Sequence, residues 1–155
     1  MPMRLGTPLP ELEGYTGSFN VPASNKTLAG YPVLIHFWAV SCHICHETLP
    51  EVMKFKEEFA PKGLKMVSVH MPRQESDLDV EKVKADIGRY GMTQSILLDH
   101  QHRIAKAFQN EYVPAFFIFN RSGELRFRAA GDKGFQKVRD KLIEVLDSEQ
   151  PEQQP

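Results

Sequence analysis

The sequence predicts an α/β protein whose central mixed β-sheet is flanked by helices, and three observations carry that reading. An apolar run at 33–40, Val-Leu-Ile-His-Phe-Trp-Ala-Val, and a second at 64–70 read as buried strands. Residues 43–60 between them carry apolar side chains at helical spacing, which makes a βαβ unit with a parallel strand pair. Further along, 115–119 and 125–129, joined through Asn120-Arg121-Ser122-Gly123, read as an antiparallel hairpin.

The elements follow in order. The first thirty residues are rich in Gly, Pro, Ser and Asn and give weak strand signals. The helix at 43–60 presents Ile44, Val52, Phe55 and Phe59 on one face, with Pro50 expected to break it. The charged stretch 73–79 reads as a solvated loop capping a helix at 79–90, which carries Val80, Val83, Ile87 and Tyr90 and stops at Gly91. A short strand at 96–98 and a short helix at about 102–108, capped by Asp99, precede the hairpin. A closing helix at 134–147 puts Phe135, Val138, Leu142, Val145 and Leu146 on one face. Residues 148–155 hold Gln, Glu and Pro and no large apolar side chain, so a disordered tail is expected beyond a single domain spanning 1–147.

Composition narrows the function classes. At 155 residues, 41% hydrophobic and 25% charged, the chain can bury a core without a disulfide framework. Nineteen Lys+Arg against twenty Asp+Glu leave a net charge of −1 with no basic block, which argues against nucleic acid and anionic membrane surfaces as partners. No stretch reaches the ~18 apolar residues of a spanning helix. Residues 1–6 lack the apolar core of an export signal, so a cytoplasmic location is expected, a fragment cut from its anchor being the other reading.

The only two cysteines, Cys42 and Cys45, sit three apart where the first buried strand hands over to a helix. Helix-terminal N–H groups stabilise a thiolate there and lower a thiol pKa from ~8.5 into roughly the 3.5–7.5 range. Cys42, at the helix start and expected to be exposed, is the candidate attacker, and Cys45, one turn in, the candidate resolving thiol. His43, when protonated, pushes in the same direction. Residues 42–46 also satisfy the C-x-x-C-H haem-attachment pattern, which requires an exported chain, a second axial ligand and a haem pocket. Zinc held by Cys42, Cys45, His43 and His46 fails on geometry, since four ligands within five helical residues cannot converge on one tetrahedral ion. No metal and no cofactor is assigned.

The run Phe37-Trp38-Ala39-Val40-Ser41-Cys42-His43-Ile44-Cys45, with Pro50 in the same helix and Val113-Pro114 before a strand, resembles the thioredoxin-fold disulfide oxidoreductases. About forty residues, read as helix, strand and helix, separate the strand ending at His70 from the one starting at Ala115. That is similar to the TlpA/ResA branch, and Val69-His70-Met71-Pro72-Arg73 and Glu111-Tyr112-Val113-Pro114-Ala115 resemble its soluble Bacillus-type members. The resemblance implies a thioredoxin fold with a helix–strand–helix insertion before the strand that Pro114 opens. It implies a cis-Pro114 facing the cysteines, with the backbone at Val113 pairing with an extended substrate. Trp38 reads as a partly buried lid beside the thiols.

His36, six before Cys42, stands where thioredoxins carry a buried aspartate that assists protons on and off the resolving thiol. A reference pKa near 6.5 suits a histidine to that work, and a core histidine bonded to backbone is the alternative. His70 reads as a loop residue or as the neighbour of His36. One departure limits the transfer of roles: the branch's glutamate falls three after the second cysteine, where this chain has Thr48, and Glu47 lies one helical step of about 100° away. The implied activity is reduction of protein disulfides by a monomer that draws electrons from an upstream thiol donor. Three alternatives stand beside it: an extracytoplasmic reductant for cytochrome maturation or spore assembly, a peroxidase, and a non-enzymatic binding module. The residues before Cys42 lack the Pro-x-x-x-Thr-x-x-Cys arrangement that a peroxidase needs.

Overall fold

The structure, a computed structural model, describes residues 2–149. Its frame is one six-stranded mixed sheet built from β1 (Gly17–Phe19), β2 (Val33–Trp38), β3 (Lys65–His70), β4 (Ser95–Leu98), β5 (Ala115–Phe119) and β6 (Leu125–Ala130), in the order β1-β4-β3-β2-β5-β6. β2, β3 and β4 run parallel; β5 is antiparallel to β2, β6 to β5 and β1 to β4. All six residues of β2 are buried. A strand reads as a continuous apolar run when both sheet faces are covered, which is why the pattern at 33–38 does not alternate.

The helices are α1 (Asn25–Leu28), α2 (His43–Phe59), α3 (Val80–Tyr90), α4 (Arg103–Ala107), α5 (Gly131–Phe135) and α6 (Val138–Ser148). Ile35 and Phe37 point to one face of the sheet and pack with Ile104 of α4, with Phe108 just after it and with Met3 and Leu12 of the N-terminal segment. Leu34 points to the other face, where Val52, Phe55 and Phe59 of α2 meet Val138 and Leu142 of α6. Trp38, on that same face, joins a third cluster with Cys42, Cys45, Leu49 and Val83. The period-two alternation of β2 thus puts its last residue beside the cysteines.

Several expectations are corrected. Pro50 lies inside α2 and does not end it. A proline inside a helix costs about 3 kcal/mol, which the burial of Leu49, Val52 and Phe55 around it, at about 1.5–3 kcal/mol each, offsets. Ile44 is exposed, because the buried stripe of α2 runs through Cys45, Thr48, Leu49, Val52, Phe55 and Phe59. Val80 is likewise exposed. The closing helix is two helices, α5 and α6, with all five of the expected apolar residues buried. α5 packs so tightly on β6 that a Cβ at Gly134 would meet the Ala129 Cβ at 2.8 Å. Ser148 closes α6 and the Glu149 carboxylate accepts from the Arg121 backbone N–H, so the first two residues of the expected tail belong to the fold. Residues 150–155 of that tail lie outside the described residues.

The core also holds polar groups. His36 Nδ1 pairs with Ser68 Oγ at 2.9 Å, Ser68 Oγ accepts from Gln94 Nε2 at 2.8 Å, and all three residues are buried. Burial pushes His36 down to about 3 from an ordinary 6.5. His70, wholly buried at the end of β3, is pushed down to about 4 by burial and by His100, against the opposing pull of Asp77.

Both rings are neutral in the fold and take up protons once unfolded, so between the unfolded value near 6.5 and the folded values the unfolded state binds more protons. Their contribution to stability is complete above pH ~6.5 and is lost as the pH falls toward ~4. Urea unfolding should therefore show stability dropping by about 1.4 kcal/mol per pH unit for each histidine between roughly pH 6 and pH 5. His36→Leu should flatten the slope by about one proton, and equal stability at pH 7 and pH 5 would contradict the assignment.

Candidate active site

β2 ends at Trp38, and the turn Ala39–Ser41 delivers the chain to Cys42, the N-cap of α2. The turn is closed by Cys42 N–H donating to the Ala39 carbonyl at 3.0 Å. Cys42 and Cys45 form a disulfide with their Cα atoms 5.2 Å apart, and Cys42 Sγ accepts the Cys45 backbone N–H at 3.1 Å. An N-cap side chain in extended backbone geometry ordinarily offers an oxygen to that amide; here a sulfur does. Cys45 is completely covered and Cys42 is 3% exposed, which corrects the expectation of an exposed Cys42. In the disulfide form its sulfur packs among Trp38, Ala39 and Leu49, with Val113 at the edge. The side chain of His43 remains open to solvent, and Ile44 is exposed beside it.

Val113 and Pro114 lie at the same end of the sheet. Their peptide bond is cis, and β5 starts directly after it with Ala115 in register with Phe37 of β2. Val113 packs against the cysteine cluster, while the Pro114 carbonyl accepts from the Gly131 N–H at 2.9 Å. Tyr112, the residue before, is exposed.

Trp38 is fully buried, so it is no lid. Its indole Nε1 donates to Asp86 Oδ2 at 3.0 Å, and the same oxygen pairs with His46 Nε2 at 2.8 Å. His46 stacks on Tyr90, ring centroids 5.5 Å apart. Asp86 of α3 therefore ties the end of β2 to the first turn of α2 from behind. A buried carboxylate is tolerable when hydrogen bonds occupy it, and this one has two donors on one oxygen. Sequence reasoning missed it; the available signal was an acidic residue on the buried stripe of 80–90, three after Val83.

His36 lies on the α2 side of β2, stacked between Trp38 at 6.1 Å and Phe116 at 5.5 Å. Its Nδ1 is committed to Ser68, and its Nε2 is buried without a partner. Thr48, standing where the resembled branch has its glutamate, turns its hydroxyl back onto the carbonyls of Ile44 and Cys45. Glu47 is exposed and pairs with His43 at 3.5 Å. The stretch 73–79 is not merely a solvated loop: Asp77 is buried and accepts from Ser41 Oγ and from the Arg73 N–H, each at 2.8 Å.

Residues 5–128 match the AhpC/TSA family. The thiol–disulfide oxidoreductase YkuV of Bacillus subtilis (strain 168) is 41% identical over 145 residues, covering 93% of this chain and 97% of that protein. The thiol–disulfide oxidoreductase ResA of Halalkalibacterium halodurans is 25% identical over 100 residues, 64% of this chain and 54% of its own length. Among solved structures, the solution structure of a thioredoxin-like protein in the oxidized form matches with a TM-score of 0.89 at 40% identity, over 96% of this chain and 100% of that one. With the cysteine pair capping α2 on a six-stranded sheet of this topology, the chain belongs to the AhpC/TSA family and is a thioredoxin-like thiol–disulfide oxidoreductase.

Proposed function

We propose that this thiol–disulfide oxidoreductase works as a reductant of protein disulfides, with Cys42 attacking and Cys45 resolving. The observation that carries the reading is the Cys45 amide donating to Cys42 Sγ at the start of a seventeen-residue helix. In the reduced protein the same N–H and the helix N-terminus favour a thiolate on Cys42 over one on Cys45.

The Cys42 thiolate attacks one sulfur of a client disulfide, forming a mixed disulfide and releasing the first client thiolate, which takes up a proton. Cys45, deprotonated, then attacks Cys42 Sγ; the Cys42–Cys45 disulfide forms and the second client thiol leaves. Two electrons pass to the client, and an upstream dithiol returns them. Val113 and Pro114 are proposed as the backbone against which an extended client lies, supported by the packing of Val113 against the cysteine cluster. Trp38 has no exposed surface, so we assign it to the wall behind the thiols and not to the client.

His36 we retain as a neutral acceptor for the Cys45 proton. The role requires the tautomer in which Nδ1–H donates to Ser68 and the unpartnered Nε2 receives, not the one in which the Ser68 hydroxyl donates to Nδ1, and a group pushed down to about 3 passes a proton on and does not store it. Among the described residues no helix is long and apolar enough to cross a membrane. We propose the cytosol as the compartment, because two cysteines serving one exchange pair suit a reducing environment.

Two measurements test this. In Cys45→Ser the mixed disulfide with a client should accumulate, whereas Cys42→Ser should neither trap nor reduce; equal trapping by the two variants would reverse or cancel the assignment. His36→Leu should slow release of a preformed mixed disulfide by about a hundredfold, the low side of general acid–base effects, and by the same factor from pH 6 to pH 8. Unchanged release kinetics would return His36 to packing alone.

A further inference from the structure

The stretch Trp38–Ser41 that leads into Cys42 is held at Trp38, Val40 and Ser41 from one place, the C-terminal end of β3 and the loop behind it. Met71 N–H donates to the Trp38 carbonyl at 2.8 Å. His70 Nε2 accepts the Val40 N–H at 3.2 Å. Ser41 Oγ donates to Asp77, and Arg73 Nη2 donates to the Ser41 carbonyl at 2.7 Å. His70 is wholly buried, with its ring edge-on to Trp38 at 5.0 Å and to His100 at 5.9 Å.

Accepting the Val40 N–H commits the ring to one form. Nε2 must be unprotonated, so the single proton of the neutral ring sits on Nδ1, which is buried and has no partner. A buried donor left unpaired is costly, and an apolar ring would pack against Trp38 without that penalty. The imidazole therefore does something at this position that packing alone does not require. Burial and His100 both hold it in the neutral form, Asp77 pulling the other way, so the acceptor is available throughout the neutral range.

We propose that His70 is a positioning residue for the attacking thiol: its Nε2 holds the Val40 N–H and thereby sets the direction from which Ala39–Ser41 delivers Cys42 to the N-cap of α2. The inference rests on the reading of Cys42 as attacker. An N-cap sulfur benefits from the Cys45 amide only in the right orientation, and loosening the preceding turn weakens that hydrogen bond and the thiolate with it.

The test uses the reduced protein carrying Cys45→Ser, in which the rate of alkylation of Cys42 by iodoacetamide is followed from pH 5 to pH 9. His70→Gln keeps an acceptor near the Nε2 position; His70→Phe keeps the ring and loses the acceptor. The Phe variant should shift the midpoint of the rate profile upward by about one pH unit, an about tenfold loss of rate below the midpoint, and the Gln variant should stay within about twofold of its parent. Ring-nitrogen NMR of the unmutated protein gives a reading that needs no variant to fold: Nδ1 should carry the proton and Nε2 the signature of an acceptor. A proton on Nε2, an unshifted Phe variant, or equal loss in Gln and Phe would overturn the role of His70 while leaving the exchange mechanism standing. Alkylation of Cys42→Ser as fast as Cys45→Ser would overturn the attacker assignment and this inference with it.

Discussion

The hydrogen bond from the Cys45 amide to Cys42 Sγ is the point at which structure and chemistry coincide. A helix starting in the interior leaves amides without intrahelical partners, and one of them must find an acceptor just outside the first turn. Where an oxygen normally serves, this chain uses the sulfur that also carries the redox chemistry. The cap is therefore not an accessory to the site: the donor that starts α2 also favours the charged form of Cys42, the thiol proposed to attack.

That arrangement needs a rigid frame on both sides. Upstream, β2 is bonded to β3 and β5 along its length and buried on both faces. Downstream, α2 drives a buried stripe that begins with Cys45 itself between the two apolar clusters on its side of the sheet. Buried polar groups gather around the turn between them. Asp86 ties Trp38 to His46, Asp77 takes the Ser41 hydroxyl, and His70 takes the Val40 amide. A polar group inside a core costs stability unless it is bonded, and local rules are broken most readily where function requires it. These side chains come from β3, the loop after it and α3, so the segment between the parallel pair and β5 braces the site as well as extending the sheet.

Much of this was legible in the chain. The buried runs at 33–40 and 64–70, the helix between them and the hairpin at 115–129 follow from periodicity, because both faces of the sheet are covered and few residues interrupt the pattern. Cys42, Cys45 and Pro114 stand out by residue type and order. What escaped depends on contacts distant in sequence. An aspartate at 86 or 77 looks solvated until Trp38, 48 residues from Asp86, and Ser41, 36 from Asp77, are folded against them. Trp38 reads as a lid beside the thiols, yet the same packing buries it. The last helix divides after Phe135, and Gly134 packs closely on Ala129, neither of which periodicity records. β1 is only three residues long and pairs with β4 from about eighty positions away, so its local signal is weak.

In the proposed cycle the Cys42–Cys45 couple delivers electrons to client disulfides. Its most direct test is the equilibrium reduction potential of the wild-type couple against a glutathione series. A reductant requires a value nearer about −270 mV, the level of thioredoxin, than about −120 mV, that of a strong oxidant such as DsbA. A potential at the reducing end is the predicted result; one near about −120 mV would mean that the couple takes electrons from its clients, and the account would be wrong.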